Sequence, residues 1–177
     1  MPPPRTLQRR GIHPRNKTEF GRRLALAYAR VEGLLPAGVV AQGPVAASAA
    51  VEDGGASVLL TLAPAPPAAG ALALAPTADC FTDGRVPAPG NSSAHCCQNA
   101  ATDPKGPHGF PFELEEEGGS GRFVLARATI VPPSAVRLAP LNASVALSGR
   151  VRYAWDSYPL CALVNGAQLP MAPFVGP

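Results

Sequence analysis

Three histidines occur in the 177 residues, and one of them, His13, stands directly before a strongly marked helix. The aligned peptide dipoles put partial positive charge at a helix N-terminus, which disfavours a protonated ring there. A neutral imidazole near neutral pH is what a general base requires. Such a base also needs a nucleophile within hydrogen-bond reach, and residues 1–12 contain no serine. The serines downstream do not fill the gap. "GGSGR" at 118–122 has Arg122 where a G-x-S-x-G elbow needs its last glycine, and it falls between two strand-like runs instead of leading into a helix. "GNSSAH" at 90–95 sets serine and histidine two or three residues apart in a turn-rich stretch with no acid beside them. Both read as turns. His95, Cys96 and His108 lack the Cys-x2-Cys spacing of a zinc site. "ELEEE", Glu113 to Glu117, reads as a solvated hairpin end in preference to a calcium site. No motif calls for a metal or cofactor.

The element that presents His13 is well specified. Asn16 suits an N-cap, and Glu19 stands at the capping-box position three residues on. Phe20, Leu24, Tyr28 and Val31 follow at spacings of four, four and three, one apolar helical stripe with Arg22, Arg23 and Arg30 off it. Gly33 suits the residue just past the helix end. These signals predict a helix over about 17–31, behind a basic N-terminal tail.

After Gly33 the helical period disappears. The 22 prolines and 18 glycines predict short elements and irregular connections. "GVVAQ", "AASAAVE" and "ASVLLTLAP" are short apolar runs, the last two forming a hairpin around Asp53-Gly54-Gly55. Residues 64–76 are low-complexity and read either as a short strand at Ala71–Ala75 or as an insertion loop. Residues 77–109 carry three of the four cysteines and read as a long, disulfide-tied loop. "PFELEEE" and "RFVLARATIV" flank the turn "GGSG". The imperfect alternation of Phe123, Leu125 and Ala128 predicts a bulge or bend. "SAVRLAP", "ASVALSG" and "VRYAW" follow at the spacing of a β-sandwich. Val151, Tyr153 and Trp155 alternate, which puts Tyr153 and Trp155 on one core-facing side. The competing reading makes Arg152 and Trp155 a sugar platform.

The bulk properties exclude some classes. Charged residues are 15% and net charge is +3. The basic residues cluster before Arg30 without aromatic interleaving, so nucleic acid is not the expected partner. No apolar run is long enough to cross a membrane as a helix. "MPPPRTLQRR" has no apolar segment behind it and is not a secretory signal. Against this stand Cys80, Cys96, Cys97 and Cys161, and sequons at Asn16, Asn91 and Asn142, which fit an oxidising, secretory setting. The four cysteines allow three pairings, of which the Cys96–Cys97 one is strained. An Asn16 that caps the helix is a poor glycan acceptor, so glycan is expected at Asn91 or Asn142 first. Oligomeric state is not legible.

"GIHPRNKTEFGRRLALAYA", Gly11 to Ala29, resembles the segment around the catalytic histidine of the sialate O-acetylesterase family, with its I-H-P-x-x-K core. The matching residues are Ile12, His13, Pro14, Lys17, Gly21, Arg23, Leu24, Ala25 and Leu26. "VRYAWDSYPLCALVNGAQLPMAPF", Val151 to Phe174, resembles the family's closing motif through Arg152, Tyr153, Ala154, Trp155, Leu163, Asn165, Leu169, Pro170, Pro173 and Phe174. "GFPFELEEEGGSGRFVLARATI" is similar to the hairpin that precedes it. The pattern departs at Gly11, where many members carry an aspartate that orients the histidine, at Val164 for tyrosine, and at Gln168 for glycine.

The resemblance implies a Ser-His carbohydrate esterase related to SGNH hydrolases, with His13 as general base and a nucleophilic serine upstream of this chain. The expected fold is mainly β. A disordered basic tail at 1–12 precedes residues 13–32, the remnant of an α/β (SGNH/flavodoxin-like) hydrolase domain. Residues 33–177 form a β-sandwich-like accessory module with the cysteine-rich loop. The expected partner is an O-acetylated carbohydrate, sialic acid or another glycan, in a secretory, lysosomal or extracellular setting. A non-catalytic β module that binds carbohydrate or a protein, and a relic enzyme, are the alternatives.

Overall fold

A two-residue alternation of apolar and polar side chains becomes sheet when one face has a core to cover. The computed structural model describes residues 17–76, 97, 109–119, 121–155 and 161–176, with the side chains of residues 17, 19 and 20 left aside. The chain divides into two units, Met1–Ala37 and Gly38–Pro177.

In the first unit, helix α1 spans Lys17–Val31, as the stripe predicts. It ends in a Schellman motif: the Leu34 amide donates to the Ala29 carbonyl at 2.8 Å and the Gly33 amide to the Arg30 carbonyl at 3.2 Å. Gly33 sits at φ 67°, where any side chain is strained. Leu24, Tyr28 and Val31 are exposed. The Asn16 cap lies outside the described residues.

The second unit is mainly β. Its strands are β1 (Ala46–Glu52), β2 (Ser57–Leu62), β3 (Ala73–Pro76), β4 (Phe112–Glu116), β5 (Phe123–Val131), β6 (Ala135–Pro140), β7 (Leu147–Tyr153), β8 (Cys161–Val164) and β9 (Phe174–Gly176). Seven form one antiparallel sheet in the order β1-β2-β6-β5-β4-β7-β9, and β3 pairs with β8 in a second, two-stranded sheet. The large sheet curls: Val51 of β1 comes so near Gly149 of β7 that an added Cβ there would lie 3.1 Å from its Cγ2. The concave side holds Val58, Leu60, Phe112, Leu114, Val136, Leu138, Val151 and Tyr153. Leu163 from β8 and Met171 join the same cluster, with Leu72 and Leu74 packed against it. The second layer of the sandwich is therefore two strands and a loop.

The hairpin at Asp53-Gly54-Gly55, the turn after β4 and the short strand near Ala73 all form where the sequence places them. Two local readings change. β5 carries no bulge: it runs in unbroken register from Phe123 opposite Glu115 to Val131 opposite Ala135. The small Ala126 and Ala128 are its buried side, and Phe123 to Leu125, at its start opposite β4, are half-buried. The irregularity sits instead in β7 opposite Leu114 and Glu116. It lets "ASVALSG" and "VRYAW" join as one bent strand, which the sequence presents as two.

Cys97 is disulfide-bonded to Cys161 with Cα atoms 5.0 Å apart, across 64 residues. The cysteine-rich segment is thus disulfide-tied, and the partner, which the sequence left open, is the first residue of β8. Cys80 and Cys96 lie outside the described residues. Constraining a loop of this length disfavours the unfolded chain by roughly 4 kcal/mol in the chain-entropy account. A Cys97→Ser/Cys161→Ser double variant is expected to lose about 2–4 kcal/mol in urea titrations; an unchanged midpoint would show that the bond closes no loop that matters to folding.

Candidate functional site

All three histidines, His13, His95 and His108, lie outside the described residues. Of its surrounding motif, Gly21, Arg23, Leu24, Ala25 and Leu26 lie within α1. The closing motif is described almost whole, and there the chemistry of each residue can be assigned.

Tyr153 ends β7 with its ring buried. The ring packs on Phe112, with centroids 4.8 Å apart, and on Phe174, with centroids 6.0 Å apart and planes 15° off parallel. Its hydroxyl accepts the Leu163 amide at 2.8 Å. Burial pushes the Tyr153 hydroxyl up from 10.0 to about 12, with the Leu163 hydrogen bond acting in the opposite direction. The motif's tyrosine is thus a structural strut between the two sheets.

Asn165, also buried, serves the loop after β8. Its Oδ1 accepts the Leu169 amide at 3.0 Å, and its Nδ2 donates to the Gln42 carbonyl at 3.0 Å. Only a glycine fits beside this loop at position 43, since a Cβ there would fall 1.9 Å from the Pro170 carbonyl oxygen. Within the loop Gln168 stands at φ 58°. That is the left-handed region where the resemblance expects glycine, so the departure carries a backbone strain.

Arg152 and Trp155 are brought together on the outside. Arg152 pairs with Glu113 of β4, and its guanidinium lies 4.3 Å from the Phe123 ring centroid and 5.6 Å from that of Trp155. Its Nε is buried and finds no partner. Trp155 is 58% exposed, which corrects the core reading of the alternation. Ala154 adopts φ 49°, so the two-residue period stops at Tyr153 and the indole turns away from the core. Nothing in the residue types announces that break.

The glutamates of β4 meet arginines. Glu115 lies 3.7 Å from Arg150 and accepts the Ser148 hydroxyl at 3.0 Å, and Glu116 lies 3.2 Å from Arg122. These are cross-strand and turn ion pairs. Among the described residues no group of three or more metal-ligating side chains gathers, and no helix is long and apolar enough to cross a membrane. Asn142 is exposed, with its Oδ1 accepting the Ser144 amide at 3.2 Å. A cleft of about 130 Å³ between Gly43, Leu62, Pro66, Leu72, Pro133 and Asn165 carries no titratable side chain.

Two measurements check these assignments. For Tyr153 the folded value lies above the unfolded one, so its stabilising effect is complete below pH 10 and is lost as pH rises towards 12. The loss amounts to about 3 kcal/mol. Urea midpoints from pH 9 to 12 are expected to fall, with a shallower fall for Tyr153→Phe. At neutral pH that variant is expected to lose about 1–3 kcal/mol, because the Leu163 amide is left unpaired. Gln168→Gly is expected to gain roughly 1 kcal/mol by removing left-handed strain, read as a raised Tm; a lowered Tm would mean that the glutamine side chain holds the loop.

No protein-family model matches this chain, and no curated protein matches it. Among solved structures the chain is similar to a carbohydrate acetylesterase from Xanthomonas citri, with a TM-score of 0.60 and 25% sequence identity. The match covers 94% of this chain and 29% of that one. The chain thus spans less than a third of the enzyme it resembles, and the likeness supports a relationship to carbohydrate esterases.

Proposed function

We propose that this chain is the C-terminal portion of a sialate O-acetylesterase-like enzyme that removes O-acetyl groups from sugars. The observation that carries the reading is the likeness to a carbohydrate acetylesterase over 94% of the chain at 25% identity. The two motifs around His13 and Tyr153, some 140 residues apart, support it from the sequence side.

In this reading a serine upstream of the chain attacks the acetyl carbonyl. His13 takes the serine proton, then delivers it to the departing sugar oxygen. Water then cleaves the acetyl-enzyme with His13 again as base. Gly11 stands where many members of the family place an aspartate that orients the histidine. The β unit acts as an accessory module. Sialic acid names the family, and other acetylated glycans offer the same ester chemistry. The second reading, a carbohydrate-binding β module without catalysis, is favoured by the exposed Trp155.

The chain alone is expected to leave p-nitrophenyl acetate and O-acetylated sialic acid at the uncatalysed rate, since oxyanion stabilisation and nucleophile come from elsewhere. A longer product that adds an in-frame G-x-S-N segment upstream is expected to be active, and His13→Ala in that product to lower kcat roughly 10⁴-fold or more. Turnover by this chain alone that a serine-directed phosphonate abolishes, or full activity in the His13→Ala product, would overturn the assignment.

A further inference from the structure

Trp155 is the single tryptophan of the chain, and its placement is not what packing alone produces. A large apolar side chain at the end of a core strand ordinarily continues into the core, as Tyr153 does. Here Ala154 takes φ 49°, a conformation that disfavours any residue with a Cβ. The result is an indole 58% exposed. Strain held beside a solvent-facing aromatic calls for a use.

The underside of the indole is occupied. The Arg152 guanidinium lies 5.6 Å from the indole centroid and 4.3 Å from that of Phe123, a stack of ring, cation and ring. With Arg152 lying over one side of the ring, 58% of Trp155 stays open to solvent. An exposed indole offers a flat, apolar, polarisable platform whose polar rim stays wet. The faces of a pyranose present several C–H groups, with hydroxyls around the edge, and complement it.

The charge arrangement selects among sugars. Arg152 pairs with Glu113, so the guanidinium and carboxylate cancel. Its Nε is buried and inaccessible to a ligand. Arg152 therefore makes a poor clamp for the carboxylate of an acidic sugar, and its part in the sugar platform is to back the indole. The geometry points to Trp155 as a stacking subsite for a neutral pyranose ring of a glycan, with Arg152 as the support behind it. This deepens the proposed function, resting on its carbohydrate substrate class, and assigns the contact to the β unit.

The single indole is also the reporter. Titration of the purified chain with cellotetraose and xylotetraose is expected to shift the Trp155 emission to shorter wavelength, with saturation at about millimolar sugar, as suits one stacking contact. In affinity electrophoresis through a soluble neutral β-glucan, Trp155→Ala is expected to lose about tenfold in retardation constant with an unchanged urea midpoint. No emission change with any neutral oligosaccharide, or a stronger response to sialyllactose than to neutral sugars, would overturn the proposal. So would a concentration-dependent shift without sugar, which would assign the indole to a contact between copies. Binding is read here without ester cleavage. Its failure leaves the His13 test standing, and failure of that test leaves this one standing.

Discussion

The hydrogen bond from the Leu163 amide to the Tyr153 hydroxyl, buried at 2.8 Å, fixes the relation between the two sheets of the β unit. A phenol deep in a core is costly unless its oxygen is used. Here that oxygen meets an amide of β8 which would otherwise be orphaned. The bond fixes β8 over β7, and from β8 follow Cys161 with its disulfide, Asn165 with its loop, and Met171 in the shared cluster. The small sheet is only two short strands, and Leu163 and Leu74 seat it in the shared core. Much of its placement comes from this strut, from the Asn165 contacts and from the Gly43–Pro170 approach.

The same strand end separates two functions of neighbouring residues. Val151 and Tyr153 face the core, Arg152 faces Glu113 across the sheet, and Ala154 then breaks the alternation. A motif such as "VRYAW" can persist for different reasons at each position. The tyrosine holds the fold, the arginine is matched in charge, and only the tryptophan is free to meet something outside. Charged side chains on β4 follow a similar logic. Glu113 and Glu115 answer Arg152 and Arg150 of β7, so the acidic run stabilises strand pairing as cross-strand partners do.

What the sequence disclosed follows from how local each signal is. Helix α1 was legible because cap, stripe and terminal glycine lie within a few residues of one another. The hairpin at Asp53-Gly54-Gly55 and the turn after β4 were legible for the same reason. The burial of Trp155 was misjudged, because a single left-handed alanine reverses a face and alanine carries no sign of it. The β5 bulge was misplaced, because small alanines on a buried face weaken the alternation without bending the strand. Sheet order was not legible: β6 lies between β2 and β5, and β9 on the far side of β7, through contacts distant in sequence. The joining of Cys97 to Cys161 is equally non-local. The choice of His13 as candidate base rests on resemblance, since a histidine before a helix has no signature of its own, and it lies outside the described residues.

The catalytic and recognition readings therefore rest on separate residues with different kinds of support. His13 belongs to Met1–Ala37, and its assignment depends on a motif and, in the proposed reading, on a serine from outside this chain. Trp155 belongs to Gly38–Pro177, and its assignment depends on burial, backbone conformation and charge pairing. An esterase must hold a long glycan so that one acetyl group meets the nucleophile, and binding energy gathered away from the reacting bond can serve that alignment. A neutral stacking face suits this task because it grips the sugar backbone without demanding a particular substituent. In the proposed subsite it would tolerate any acetyl pattern on the sugar, whereas a carboxylate clamp would tie recognition to one kind of sugar. The Glu113–Arg152 pair, by neutralising the cation beneath the indole, is what leaves the face indifferent to charge.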